Sequence, residues 1–179
     1  MTRLKKNLVK TTVPAEGVDK FNIGRTISKI KTFKKITKTG IEKWLGHDSG
    51  FKKDIYSDFD ILTAGQEGIT KSAVEKLAVY LGVNRKTMAE SILSLSVKTL
   101  ERKDKNTLLD KRTSSHALEI ARLMQHGYDV FGDEDKLKFW VNDPNKALSG
   151  KKPVELFDTL TGLNMVNDVL TRIEEGVYS

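Results

Sequence analysis

The sequence predicts an all-α protein, and three observations carry that prediction. Apolar residues recur at helical spacing from Gly68 onward, and no strand-like alternation survives there. The 179 residues contain only three prolines, so few positions bar a helix. Asn84, Ser96 and Asp133 each stand just ahead of an apolar-periodic stretch. A short polar side chain there can accept from the free N–H groups of a first helical turn.

Before Gly68 the pattern is weaker. Residues 1–20 read as loose, with a lysine-rich start, Thr11-Thr12 and a lone Pro14. Residues 21–60 scatter Phe21, Ile23, Ile27, Ile30, Phe33, Ile36, Ile41, Trp44 and Leu45 among lysines. Ile23, Ile27 and Ile30 fit one helical face, but Gly40, Gly46 and Gly50 interrupt the segment. The expectation for residues 1–60 is a basic, weakly ordered or partner-dependent extension.

From Gly68 each helix has a stripe and a stop. Val74, Leu77, Ala78 and Leu81 fall at i, i+3, i+4 and i+7, and Gly82 ends that helix. Asn84 caps the next, whose inward stripe is Met88, Ala89, Ile92 and Leu93. A short turn follows at Leu95-Ser96-Val97. Ser96 then caps a third helix with Leu100 inward and Lys98, Thr99, Arg102, Lys103 and Lys105 outward. Residues 115–129 form another, with Ala117, Ile120, Ala121, Met124 and Tyr128 on one face. Asp133 caps a helix that turns Leu137, Trp140 and Val141 inward, and Glu134 and Asp135 suit its positive N-terminal end. Asn142-Asp143-Pro144 stops it, because a residue before proline avoids the α region. Residues 145–152 form a loop, and Pro153 opens a short helix carried by Val154, Phe157 and Leu160. Gly162 separates that helix from a last one with Leu163, Val166, Leu170 and Ile173 inward and Gly176 at its end. There is no internal repeat.

Composition narrows the function classes. Charged residues make up 31%, hydrophobic ones 38% and aromatic ones 7%, and no run of about 18 apolar residues could span a membrane. Met1-Thr2-Arg3-Leu4-Lys5-Lys6 lacks the apolar stretch of a secretory signal. Without cysteine there is no disulfide, thiolate zinc site or cysteine nucleophile. The expectation is a cytoplasmic protein. Its charge is unevenly spread. Residues 1–60 hold 14 Lys/Arg against 7 Asp/Glu, residues 61–113 hold 10 against 6, and residues 114–179 hold 7 against 11. A basic part that could meet a polyanion thus precedes an acidic part with another task; a solvated lysine surface is the plainer alternative.

Catalytic constellations are missing. His47, His116 and His126 show no metal-ligand spacing, and Gly150-Lys151-Lys152 lacks the rest of a phosphate loop. Phe131-Gly132-Asp133 reads as a turn and helix cap. No nucleophile, base and orienter form a set, so no catalytic residue, metal or cofactor is expected. The protein is not expected to be an enzyme.

Residues 84–105 have the outline of a helix-turn-helix with a basic second helix, the element that enters the major groove in such motifs. Glu90 stands where a small residue is common, and Ser94 where glycine is. A structural hairpin with solvated lysines stays open. The last residues, Arg172-Ile173-Glu174-Glu175-Gly176-Val177-Tyr178-Ser179, either fray, pack Val177 and Tyr178 on the core, or enter a partner's cleft with an aromatic anchor and a carboxylate.

Several of these stretches together resemble a known domain. Phe131-Gly132-Asp133, Phe139-Trp140, the run from Asn145 to Pro153, Leu156-Phe157-Asp158-Thr159, Gly162 and the run from Arg172 to Ser179 resemble the toxin-binding domain of Xre/MbcA/ParS-type antitoxins. Gly68-Ile69-Thr70 and the helices to Lys103 resemble the Xre-like helix-turn-helix of the same proteins. The likeness spans residues 61–179, with Ser149 where glycine is frequent. It implies a DNA-binding domain over 61–113 and a small helical toxin-binding domain over 114–179. It further implies a type II antitoxin that covers the active-site entrance of a RES-type, NAD-consuming toxin and represses its own operon. Operator contact would fall on Lys86, Ser96, Lys98, Thr99, Arg102 and Lys103. Toxin contact would fall on Pro144, Asn145, Leu148, Gly150 and Pro153, and on Arg172, Glu174, Gly176, Val177, Tyr178 and Ser179. Trp140, Phe157 and Gly162 would be core or turn. A homodimer would offer two recognition helices about one helical turn apart on the operator. The alternative is a transcriptional regulator whose C-terminal domain only dimerises.

Overall fold

A computed structural model describes residues 40–52 and 54–177. Its helices are α1 (Glu42–Leu45), α2 (Asp58–Glu67), α3 (Lys71–Leu81), α4 (Thr87–Ile92), α5 (Val97–Glu101), α6 (Lys111–Phe131), α7 (Glu134–Asn142) and α8 (Leu160–Glu174). Two short 3₁₀ turns, Lys146–Leu148 and Pro153–Leu156, lie between α7 and α8. Among the described residues the only strand-like pairing is one isolated antiparallel bridge between Thr70 and Leu108. The all-α expectation therefore holds. The readings of residues 1–39, the face of Ile23, Ile27 and Ile30 included, lie outside the described residues, as do those of Tyr178 and Ser179.

The expected weak order fails for residues 40–60. Ile41, Trp44, Leu45 and Ile55 are at most 2% exposed and join the same core as the later helices. Trp44 explains why. Its ring packs edge-on to Tyr80 and Tyr128, at 5.1 and 6.1 Å between centroids, and its indole N–H donates to Gln125 Oε1 at 3.0 Å. Lys43 sits 3.7 Å from the Tyr128 ring centre and pairs with Glu134. Burial works against its charge, but the Glu134 carboxylate, helped by Tyr128 and Tyr80, carries its pKa above the usual lysine value. The glycines that looked like interruptions, Gly40, Gly46 and Gly50, all take positive φ, at 78°, 76° and 87°.

α2 was not expected. Ser57 caps it by accepting from Asp60 N–H, and it buries only Ile61, Ala64 and Gly65 while Phe59 and Leu62 stay exposed. It lies along α6, where Asp58 meets Arg122 at 3.2 Å. α3 follows the predicted stripe, and Gly82 closes it in the left-handed region at φ 72°. α6 begins and ends a little beyond its predicted span. Asp110 caps it, accepting from Thr113 N–H at 3.0 Å and from the Thr113 hydroxyl at 2.7 Å. Burial alone would raise the Asp110 pKa, but these donors hold it below the ordinary carboxylate value. Asp133 caps α7 as expected, with Leu137 and Val141 buried and Trp140 half-buried against Phe131.

Two expectations near α8 are corrected. Leu160 does not carry the preceding helix; it opens α8 and is 61% exposed. Gly162 is no separator either. It lies inside the first turn of α8, where its N–H donates to the capping Thr159 hydroxyl at 3.1 Å. A Cβ there would overlap the Leu156 carbonyl oxygen, so glycine lets the Pro153–Leu156 turn seat directly against α8. Leu163, Val166 and Leu170 complete the core.

Candidate functional site

The first candidate surface is built around a turn. Asn84 Oδ1 accepts from Thr87 N–H at 2.8 Å, and α4 buries Met88, Ala89 and Ile92 as expected. α4 is wound widely, since Leu93 N–H reaches back five residues to the Met88 carbonyl. Ser94 then takes a left-handed conformation, φ 52°, which reverses the chain. α5 is shorter than expected. It holds five residues, Arg102 is its C-terminal cap and Lys103 lies beyond it. Ser96 occupies the N-cap position, but its side chain makes no capping hydrogen bond, a correction to the sequence reading. Leu100 is buried and Val97 packs half-buried against the core, while Lys86, Ser96, Lys98, Thr99 and Arg102 are exposed and Lys103 is half-buried. Cations and hydroxyls in this arrangement can donate to phosphates and base edges.

What holds α5 was not legible in the sequence. Lys71 is only 8% exposed, and its ammonium donates to the carbonyls of Lys103 at 2.8 Å and Glu101 at 3.3 Å. Glu75 lies 3.9 Å from that ammonium and 3.2 Å from the Arg85 guanidinium. The chain beyond α5 returns along the start of α3. There Ser72 N–H donates to Lys105, Lys71 N–H to Thr107, and Leu109 N–H to Ile69.

The second candidate surface is the loop 144–153 with the end of α8. The Asn145 carbonyl accepts from Leu148 and Gly150, its N–H donates to Lys151, and its side chain accepts from Ala147 N–H at 2.9 Å. Ser149 and Gly150 both have positive φ, 59° and 79°. Pro144, Gly150, Lys146, Lys151 and Lys152 are exposed, and Asn145 is half-buried. Leu148, 2% exposed, and Pro153 are buried beneath the loop, so both support its shape and offer no outward surface. That corrects their assignment as contacts; an apolar side chain on a tight loop gains more from the core than from water. At the other end Arg172, Glu174 and Gly176 are exposed, and Val177 is 53% exposed, off the core. Val177 N–H still donates to the Arg172 carbonyl at 2.9 Å. His126 ties α6 to α8, with Nδ1 2.9 Å from Asn167 Oδ1 and Nε2 3.3 Å from Glu174 Oε2. His116 Nε2–H donates to the Phe157 carbonyl at 2.7 Å. Among the described residues no group of His, Asp and Glu could hold a metal, and no helix is long and apolar enough to cross a membrane.

Comparison with known proteins agrees with this geometry. Residues 126–176 match the antitoxin Xre/MbcA/ParS C-terminal toxin-binding domain. A Prs ADP-ribosylating antitoxin of Sphingobium sp. (strain YBL2) is 26% identical over 133 residues, 69% of this chain and 83% of that protein. An antitoxin Xre of Pseudomonas putida is 27% identical over 124 residues, 69% of this chain and 76% of that protein. An antitoxin Xre of Yersinia enterocolitica is 36% identical over 67 residues, 37% of this chain and 45% of that protein. The matched segment holds α7, the loop 144–153 and α8. The likeness to the C-terminal toxin-binding domain of the Xre/MbcA/ParS antitoxins therefore falls on residues 126–176 of this chain.

Proposed function

We propose that this protein is the antitoxin of a type II toxin–antitoxin system, acting in the cytoplasm. Its C-terminal domain binds a RES-type, NAD-consuming toxin and blocks the entrance to that enzyme's active site. The match of residues 126–176 to a toxin-binding domain carries the reading. A preformed loop suits such a role, because a surface already locked by its own hydrogen bonds loses little conformational entropy on docking. The relative from Sphingobium has ADP-ribosylation in its name. An ADP-ribosyl group comes from NAD, which favours a partner of that chemistry.

The contacts proposed for the toxin are Pro144, Asn145 and Gly150 on the loop and Arg172, Glu174, Gly176, Val177, Tyr178 and Ser179 at the end of the chain. The contacts proposed for operator DNA are Lys86, Ser96, Lys98, Thr99, Arg102 and Lys103, presented twice by a homodimer. No chemistry is assigned to the chain itself. Inhibition is steric, so saturating amounts of this protein should stop NAD turnover by the product of the neighbouring gene. Full-speed turnover under those conditions refutes the proposal, and a regulator whose C-terminal domain only dimerises takes its place.

A further inference from the structure

We infer that Lys71 is a positioning residue for the nucleic-acid surface: it fixes the short helix α5 and the basic turn after it without touching the nucleic acid. The inference rests on the reading of residues 84–105 as a DNA-binding surface. α5 has five residues, of which Leu100 is buried and Val97 packs half-buried against the core. So short a helix is not stable alone, and its last carbonyls need partners. The Leu100 carbonyl accepts from Lys103 N–H and the Lys98 carbonyl from Arg102 N–H. The Glu101 carbonyl is taken by the Lys71 ammonium, which also holds the Lys103 carbonyl.

A buried lysine is costly unless its donors are used. Here two carbonyls use them, and Glu75, itself paired with Arg85, supplies the counter-charge. A cation at the end of a helix also suits the negative end of its dipole. The same charge chain therefore joins the residue just ahead of Lys86 to the last turn of α5. It sets the spacing between Lys86 and the Arg102–Lys103 pair, which a duplex would read as one footprint.

The test uses the full chain with a duplex from the region upstream of its own gene and a scrambled duplex of equal length. Lys71→Met keeps the stem and removes the charge. It should lower affinity for the upstream duplex about tenfold, the scale of leaving two part-buried carbonyls without their charged donor. Affinity for the scrambled duplex and its salt slope should stay at the wild-type level, and Lys71→Arg should restore discrimination. Hydrogen exchange in the free protein should quicken at Lys103, Thr107 and Ser72, whose N–H donates to the Lys105 carbonyl, but not at α8. Wild-type discrimination by a folded Lys71→Met protein overturns the inference. So does an equal loss on both duplexes with a salt slope shallower by about one, the mark of a direct phosphate contact. If Lys71→Met does not fold, Lys71→Gln, which keeps one donor, takes the same measurements. If the wild type itself prefers neither duplex, the DNA reading has failed. Exchange in the variant then decides on the clamp alone, and unchanged protection at Lys103 overturns it.

Discussion

The two candidate surfaces are built on opposite plans. The loop 144–153 closes on itself: the Asn145 backbone and side chain hold Ala147, Leu148, Gly150 and Lys151, all within six residues. The segment around α5 borrows its scaffold, with Lys71 reaching the Glu101 and Lys103 carbonyls across 30 and 32 positions. A self-closed loop keeps its shape for as long as the module beneath it folds. A borrowed scaffold makes shape depend on a residue far away in the chain. The surface proposed for the toxin should accordingly tolerate substitutions elsewhere in the protein, and the one proposed for DNA should not.

The hardest blow to the first plan is to unseat the module beneath the loop. Gly162 packs against the Leu156 carbonyl, and backbone cannot move aside for a methyl group. Gly162→Ala should cost about 3 kcal/mol of stability, at the upper end for overpacking, in urea denaturation. An unchanged midpoint would mean that α8 does not need the Pro153–Leu156 turn against it. On the other surface, Arg102→Ala should weaken operator binding by about 2 kcal/mol if the guanidinium reads a base, and leave toxin neutralisation intact. A uniform loss across sequences with a shallower salt slope assigns Arg102 to phosphate instead. A gel-shift titration indistinguishable from the wild type removes it from the interface.

The same contrast explains what could be read from the residues alone. α3, α6 and α7 were legible because their apolar stripes repeat within one or two turns, and α7 also because its Asp133 cap lies three residues from Lys136 N–H. α1 and α2 were not. Trp44 finds its hydrogen-bond partner Gln125 81 positions away, and α2 buries three residues while exposing Phe59 and Leu62. No local period records either fact. The exposure of Lys86, Ser96, Lys98, Thr99 and Arg102 was readable from the polar side of the stripes. Which of the loop residues look inward was not, since Leu148 and Pro153 go beneath a loop whose closure depends on Asn145. Lys71 carried no signal at all: it follows Thr70, whose hydroxyl caps α3 by accepting from Ala73 N–H at 3.2 Å, and a lysine in a first helical turn reads as solvated.

Asp110 stands where the borrowed scaffold ends and the long helix starts, so it tests whether the two surfaces share one stability. Asp110→Ala should cost about 1 kcal/mol, the usual worth of an N-cap. Its carboxyl is held below the ordinary 3.8. The contribution is therefore complete above the unfolded-state value and fades as pH falls through the lower folded one. The gap between wild type and variant should be constant from pH 7 to about 5 and shrink towards pH 2. A gap that does not close on acidification would show that the carboxylate is not the cap.

The smallest effect is the sharpest comparison, because each surface carries the same flaw. Ser94 and Ser149 are the non-glycine residues with positive φ among those described, at 52° and 59°. They are also two of the positions where the family resemblance led one to expect glycine. A left-handed residue with a Cβ costs about 1 kcal/mol or somewhat more, while glycine gives back part of that through a freer unfolded chain. Ser94→Gly and Ser149→Gly should each stabilise by about 0.5 kcal/mol, the difference of those two effects, and the pair should add. Thermal or urea unfolding of the two single variants and the double resolves this. If the opposite plans are right, the functional effects separate even where the stabilities match. Relief at Ser149 changes a turn that its own loop already holds, so toxin affinity should stay put. Relief at Ser94 loosens the turn between α4 and α5, so sequence discrimination on DNA should shift while neutralisation does not. Equal functional silence at both positions would mean that the turn at Ser94 is as self-sufficient as the loop.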